Sequence, residues 1–330
     1  MADGYAAVAA RLRAAASVLI SSHVNPDGDA IGAILGTALA LEAAGKCCLA
    51  VNPDPVPWTF LKLPRAEKVR RWQDLEAFGR PDLWLALDSA DQRRLGVPDE
   101  LAPLLADVPI VQFDHHVTNT AYGLINIIEP AAAACCEQMA YFLPAAGFAL
   151  TPDAATALLC GITTDSGSFK FGSVTPATFQ AAARLMEAGG SQKDVGTLLG
   201  ERRFASTRLW GLVLTTLRQH EGGRIVEATA TQEMFRAVGL NEEGTEGVVE
   251  AVRGIEGVEL AVLFREDPSG DIKISLRTTE AIDATTIAVA HGGGGHPRAA
   301  GATLPGPLDA ARATILAEAA ALLNGRSHRQ

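Results

Sequence analysis

The sequence predicts an α/β fold: a doubly wound, mostly parallel sheet, joined by a helix to a smaller α/β domain with a mixed sheet. Three observations carry this. Up to residue 190, apolar runs of strand length alternate with alanine- and leucine-rich helical stretches. Several of those strands end on a histidine or an aspartate, where open α/β sheets gather their ligands. A composition break at Gly189-Gly190-Ser191 then precedes a second alternation with one hairpin-like turn, Asp267-Pro268-Ser269-Gly270. The expected organisation is a first domain over 1–190, a helical linker over 191–222 and a second domain over 223–330.

In order, residues 5–16 read as a helix and Ser17–Ser22 as a buried strand ending at His23. Residues 30–44 form a helix stopped by Gly45, followed by a strand over 46–51 and the breaker Asn52-Pro53-Asp54-Pro55-Val56-Pro57. Strands over 83–87 and 108–113 each lead into an aspartate, and helices follow over 131–146, 152–163 and 175–188. Beyond the break, 192–200 and 204–220 read as helices, the second as the connector. Strands near 224–230, 258–266 and 271–277 alternate with helices near 243–252, 283–291 and 309–324, and 325–330 reads as a frayed tail.

Composition excludes several classes. The chain has 330 residues, 48% hydrophobic and 20% charged, as an ordinary globular protein does. No apolar run approaches the roughly 20 residues of a membrane helix, and Ser17-Val18-Leu19-Ile20 is too short for a signal-peptide core. The expected location is therefore the cytoplasm, away from membranes. Five cysteines without Cys-x-x-Cys spacing read as buried thiols in a reducing compartment. A net charge of −10 with no basic stripe argues against long duplex nucleic acid, so a nucleic-acid substrate would be short.

Four segments concentrate hard metal ligands: His23-Val24-Asn25-Pro26-Asp27-Gly28-Asp29, Leu87-Asp88-Ser89, Asp114-His115-His116 and Thr164-Asp165-Ser166. Each alone has a plain explanation as a turn or a helix cap. Together, all at element ends, five acids and three histidines suit a two-metal hydrolytic centre. Oxygen donors mixed with imidazole point to Mn²⁺ first, with Mg²⁺ or Co²⁺ as alternatives. Asp88, alone at its strand end, is the natural bridging carboxylate.

The order of these segments, followed by Gly161-Ile162-Thr163-Thr164-Asp165-Ser166-Gly167, resembles the DHH phosphoesterase superfamily. The loop Gly293-Gly294-Gly295-His296-Pro297-Arg298-Ala299-Ala300-Gly301 resembles the signature of the DHH-associated C-terminal domain. By size and layout the chain is most similar to the stand-alone bacterial oligoribonucleases (nano-RNases), many of which also remove the 3′-phosphate of 3′-phosphoadenosine 5′-phosphate. The resemblance implies that His23 and Asp27 hold one metal, that Asp29, His115 and Asp165 hold the other, and that Asp88 bridges. It implies that His116 faces the scissile phosphate while Asp114 orients a histidine. The expected reaction is in-line hydrolysis of short single-stranded RNA or dinucleotides such as pApA to mononucleotides, with a homodimer plausible.

The glycine run lets backbone N–H groups approach an anion, and His296 and Arg298 beside it favour phosphate binding over a mere hinge. Arg277 resembles the family's strand-borne arginine and is expected to reach a substrate phosphate. Arg94 and Asn119 match family positions near the site, with Arg93 the alternative to Arg94. Metals on one domain and grip on the other imply an active site between them. The alternatives are a cyclic di-AMP phosphodiesterase, an inorganic pyrophosphatase and a nucleotide sensor without turnover.

Overall fold

The computed structural model describes residues 2–241, 243–279 and 282–324; the tail expected at 325–330 lies outside the described residues. The chain divides into two compact units, Met1–Glu201 and Arg202–Gln330.

The first unit runs α1 (Ala2–Ala14), β1 (Ser17–Ser21), α2 (Gly28–Ala43), β2 (Cys47–Val51), β3 (Val69–Arg70), α3 (Asp74–Phe78), β4 (Leu83–Leu87), α4 (Ala102–Leu105), β5 (Ile110–Asp114), β6 (Ile125–Ile128), α5 (Cys135–Ala145), α6 (Pro152–Asp165), α7 (Pro176–Glu187) and α8 (Gln192–Gly200). Its six strands are all parallel, in the order β3-β2-β1-β4-β5-β6. The order reverses between β1 and β4, which places the ligand crevice beyond their carboxyl ends.

Strand alternation explains the layering. Val18, Ile20, Leu83, Leu85, Val111 and Phe113 point into the core formed with α1, α2, α5 and α6. Leu19, Leu49, Val51, Trp84 and Ala86 point the other way, onto Trp72, Leu75, Leu95 and Leu101. With both faces covered, the strands read as near-continuous apolar runs.

Helix α2 is buried from Gly28 through Leu41 and packs closely on α6. Small residues permit that approach: a Cβ on Gly32 would lie 2.5 Å from the Ala157 carbonyl oxygen, and one on Gly28 2.4 Å from Thr164 Oγ1. This seam holds the start of α2 beside the end of α6.

The second unit runs α9 (Phe204–Leu214), β7 (Arg218–His220), β8 (Ile225–Ala230), α10 (Gln232–Val238), α11 (Val248–Arg253), β9 (Leu260–Glu266), β10 (Ile272–Thr278), α12 (Thr285–Ala290), β11 (Gly294–His296), β12 (Ala299–Leu304) and α13 (Leu308–Asn324). Its sheet, ordered β11-β12-β10-β9-β8-β7, is mixed: β8 and β9 are parallel and the other pairs antiparallel. One face packs on α12 and α13, the other in part on α9, α10 and α11.

Three expectations change. The helix expected over 204–220 stops at Leu214, and Arg218–His220 instead forms an edge strand on β8. The glycine run is not an open loop: Gly294–His296 pairs antiparallel with β12. Cys135, Cys136 and Cys160 are buried free thiols, but Cys47 is exposed, because β2 begins outside the core. Among the described residues no helix is long and apolar enough to cross a membrane.

Candidate metal centre

Three adjacent parallel strands deliver the site. His23 follows β1 by two residues, Asp88 directly follows β4, and Asp114 ends β5 with His115 and His116 next in the chain. Asp88 turns the chain out of the sheet with φ of 52°, a left-handed conformation that aspartate tolerates better than most residues. Helices supply the rest. Asp27 caps α2 by accepting the Ala30 N–H at 3.0 Å, Asp29 lies in the first turn of α2, and Asp165 is the last residue of α6.

The side chains converge on Asp88, which is 1% exposed. Its Oδ2 lies 3.3 Å from His23 Nε2, and its Oδ1 lies 3.5 Å from His115 Nε2. His23 Nε2 is also 3.9 Å from Asp27 Oδ2. His115 Nε2 is 3.2 Å from Asp165 Oδ2 and 3.9 Å from Asp29 Oδ2. Among the described residues, the groups able to hold a cation are thus His23 with Asp27 and Asp88, Asp29 with His115 and Asp165, and Asp88 with His115 and His116. Asp88 belongs to two of them through opposite oxygens.

Backbone carbonyls orient the imidazoles. His23 Nδ1 is 2.8 Å from the Val24 carbonyl oxygen and His115 Nδ1 is 3.3 Å from that of Ala132. Protons on Nδ1 leave each Nε2 lone pair aimed at the carboxylates, the tautomer a metal ligand needs. Arg94 Nη2 lies 3.1 Å from the same His23 Nδ1. Arg94 and the Val24 carbonyl therefore compete for one nitrogen, and in the ligand tautomer that contact is no hydrogen bond.

Two devices support the acids. Asp29, fully buried, accepts the N–H groups of Cys135 and Cys136 at 2.6 and 2.9 Å. It thereby caps α5, whose own N-cap Ala134 has no side-chain acceptor, and gains from the positive end of the helix dipole. Asp114 accepts from His116 Nδ1 at 2.7 Å and from the Asn119 amide, and its carbonyl accepts from Gln138 Nε2 at 2.9 Å. Asn119 is therefore held by Asp114 rather than aimed outward.

Electrostatically the cluster calls for positive charge. Burial opposes ionisation of Asp88, but the His115 and His23 rings beside it outweigh burial and hold its carboxyl well below the usual range. Burial, then the Asp88 and Asp165 charges, push Asp29 up. Burial lowers His23 and His115, yet the neighbouring carboxylates win, raising them to about 9 and about 12. His116 shifts upward as well, burial being outweighed by the Asp114 hydrogen bond and the Asp88 charge. Asp88 Oδ1 is buried and, among the described residues, has no hydrogen-bond partner. An oxygen-rich set with two imidazoles and an unsatisfied, centrally placed carboxylate oxygen fits a pair of divalent cations.

Apart from Arg94 and Asn119, the residues expected to grip substrate lie in the second unit. Gly293 and Gly295 are required by strand pairing: a Cβ on Gly293 would sit 2.1 Å from the Gly301 carbonyl oxygen, and one on Gly295, at φ 137°, 2.4 Å from that of Ala299. Gly294 has open space around it. His296 pairs with Ala299 across the hairpin, and the carbonyl of Arg298 accepts the Thr278 N–H at 3.1 Å. Arg277, on β10, is ion-paired with Glu250 of α11, Nη2 to Oε1 at 2.7 Å. Sequence reasoning missed Glu250, Gln138 and the Cys135–Cys136 amides; the only signal for the last was a helix start with no polar cap.

Comparison with known proteins gives the family. Residues 17–162 match the DHH family, N-terminal domain, and residues 230–324 match the DHHA1 domain. The chain is 35% identical over 302 residues to the bifunctional oligoribonuclease and PAP phosphatase NrnA of Thermus thermophilus, covering 91% of this chain and 88% of that protein. The Bacillus subtilis protein of the same name is 25% identical over 294 residues, covering 87% and 89%. The crystal structure of an exopolyphosphatase-related protein from Bacteroides fragilis superposes with a TM-score of 0.88 at 23% identity, covering 96% of this chain and 95% of that one. That likeness shows the same fold. With both domain matches in sequence order and a relative of this identity spanning nearly its whole length, the chain belongs to the DHH family of phosphoesterases with a DHHA1 domain, in the group that contains NrnA.

Proposed function

We propose that this protein is a metal-dependent phosphodiesterase that hydrolyses short oligoribonucleotides and linear dinucleotides such as pApA to mononucleotides, and that it also removes the 3′-phosphate of 3′-phosphoadenosine 5′-phosphate. The observation that carries the reading is the buried Asp88, whose two oxygens face two separate ligand clusters. The Thermus relative is named for both activities, which supports the substrate class. A cytoplasmic location, Mn²⁺ as the resident ion and short single strands as substrates belong to the same proposal.

His23 and Asp27 would hold one cation and Asp29, His115 and Asp165 the other, with Asp88 shared. When bound, such a pair supplies Lewis acidity and activates water for in-line attack on phosphorus. The chain's own groups do the rest. The Val24 and Ala132 carbonyls keep Nε2 of His23 and His115 directed inward. Asp114 fixes the His116 ring through Nδ1 and biases it toward the cationic form, suited to stabilising charge on phosphoryl oxygens. Asn119 locks Asp114. Arg277, His296, Arg298 and the Gly293–Gly295 backbone are assigned to the substrate's phosphates, and Arg94 to the same role once it leaves His23.

Purified protein with Mn²⁺ should release mononucleotides from pApA and from short 5′-labelled RNA, and adenosine monophosphate from 3′-phosphoadenosine 5′-phosphate, with Asp88→Ala as control. Inertness toward all three, with rapid cleavage of cyclic di-AMP or of pyrophosphate, would overturn the substrate assignment and leave only the metal centre.

A further inference from the structure

The segment Asn52-Pro53-Asp54-Pro55-Val56-Pro57, directly after β2, supplies no ligand to the cation-holding groups found among the described residues. Its two polar side chains nonetheless end on the stretch of chain that carries His23 and Asp27. Asn52, fully buried, donates from Nδ2 to the His23 carbonyl oxygen at 3.1 Å, and its Oδ1 accepts the Asp54 N–H at 3.0 Å. Asp54 Oδ2 in turn accepts the Asn25 N–H at 2.6 Å. Asn52 is itself anchored, its N–H donating to the Arg70 carbonyl oxygen of β3 at 3.0 Å. Pro53 and Pro55 fix their own φ and bias the residues before them, Asn52 and Asp54, toward extended backbone, which stiffens the brace.

The braced stretch has little else to fix it. His23 and Asp27 lie between β1 and α2, outside any strand or helix. Between them Asn25 has φ of 54°, a conformation that persists only where surrounding contacts over-determine it. Val24 adds one such contact, its N–H donating to the Arg94 carbonyl oxygen at 2.8 Å. The other ligand cluster is built differently. Asp29 lies in the first turn of α2, Asp165 ends α6 and His115 directly follows β5, so regular elements set their places. The two clusters also differ in cover: the Asp27 side chain is 54% exposed, whereas that of Asp29 is fully buried.

We infer that Asn52 and Asp54 are positioning residues for one cation of the pair, the one assigned to His23, Asp27 and Asp88, and that they act by fixing the His23 carbonyl and the Asn25 amide. The inference rests on the two-metal reading above. Loss of the brace frees the backbone that carries both His23 and Asp27, which weakens that position. Asp29, His115 and Asp165 stay where α2, α6 and β5 put them.

The test titrates metal-free, full-length protein with Mn²⁺ by calorimetry and follows the bound ions by electron paramagnetic resonance, which distinguishes a coupled pair from isolated ions. Wild type should take up two ions per chain and show the coupled pair. Asp54→Ala and Asn52→Ala should bind the first ion within about twofold of wild type and the second between about 10-fold and 100-fold more weakly. At two equivalents of Mn²⁺ their spectrum should be that of isolated ions. Asp54 is partly exposed, so its replacement spares the core, and the unchanged first ion reports an intact fold. Asp54→Asn keeps an oxygen acceptor for Asn25 and should restore the second ion to within about threefold. Equal weakening of both ions, no weakening of either, or an Asp54→Asn variant as weak as Asp54→Ala would overturn the brace. If the variants lose the second ion selectively while wild type hydrolyses none of the proposed substrates, the brace stands and the proposed reaction fails. If wild type hydrolyses pApA and the variants bind both ions as it does, the reaction stands and the brace fails. A wild type that holds a single ion would sink the two-metal reading and the brace with it.

Discussion

The two units handle charge in opposite ways. In the first, acids and imidazoles sit beyond the ends of parallel strands, with Asp29, Asp88 and Asp114 buried and each held by backbone or imidazole contacts. In the second, the cations sit on the face of an antiparallel strand, partly exposed, and Arg277 is held by the more exposed Glu250. A buried, fully oriented cluster strengthens electrostatics and needs no reorganisation during reaction. An exposed ion pair exchanges partners at little cost. The difference separates a rigid ligand cluster from an adjustable basic surface, and it is open to experimental attack.

The largest effect should come from the shared carboxylate. Asp88→Ala is expected to lower kcat on the order of a thousandfold and to reduce bound metal per chain, read by calorimetry with Mn²⁺. Undiminished metal content would show that Asp88 is not shared. Removing the support behind His116 should matter less: Asn119→Ala or Asp114→Asn is expected to cost between about 10-fold and 100-fold in kcat, with metal content retained. On the grip side, Arg277→Ala should raise KM for pApA about tenfold with little change in kcat. Glu250→Gln should lower KM slightly by freeing the guanidinium; a fall in kcat instead would place Arg277 in the chemistry.

Acidity distinguishes the units as well. His23, held up near 9 by its carboxylate neighbours, binds its proton more tightly folded than unfolded. In chelated protein its contribution to stability is full below the unfolded value near 6.5 and is lost as pH rises through about 9. Cations compete with that proton, so Mn²⁺ affinity should weaken as pH falls. Calorimetry in buffers of different ionisation enthalpy should register proton release. The smallest effects concern the hairpin: Gly294→Ala should leave melting unchanged, whereas Gly295→Ala should cost about 1–3 kcal/mol, because it needs positive φ and has no room for a Cβ.

Much of the first unit was legible because strand ends and chemistry coincide there. Apolar runs at 17–21, 83–87 and 110–113 lead straight to His23, Asp88 and Asp114, so local pattern and site carry the same signal. Helix α8 was readable to the residue because Ser191 caps it. What escaped was nonlocal or edge-like. Asp29 finds its donors 106 and 107 positions away, in backbone amides that leave no mark on spacing. Strands β6, β7 and β11 are short edge or near-edge strands, and polar Arg218–His220 has no apolar period to reveal it. The glycine run was read as an anion cradle; its neighbours show that Gly293 and Gly295 are also demanded by strand contact.

The glycine-lined seam between α2 and α6 has a consequence for metal choice. Asp29 and Asp165 ride on two helices that meet backbone to backbone at Gly32, where a Cβ would lie 2.5 Å from the Ala157 carbonyl oxygen. The span between these ligands is therefore a property of rigid rods rather than of swivelling side chains. Adapting the centre to an ion of another radius would mean reseating a helix pair. Selectivity would then change in steps, through substitutions along the seam, rather than by gradual adjustment at the ligands themselves.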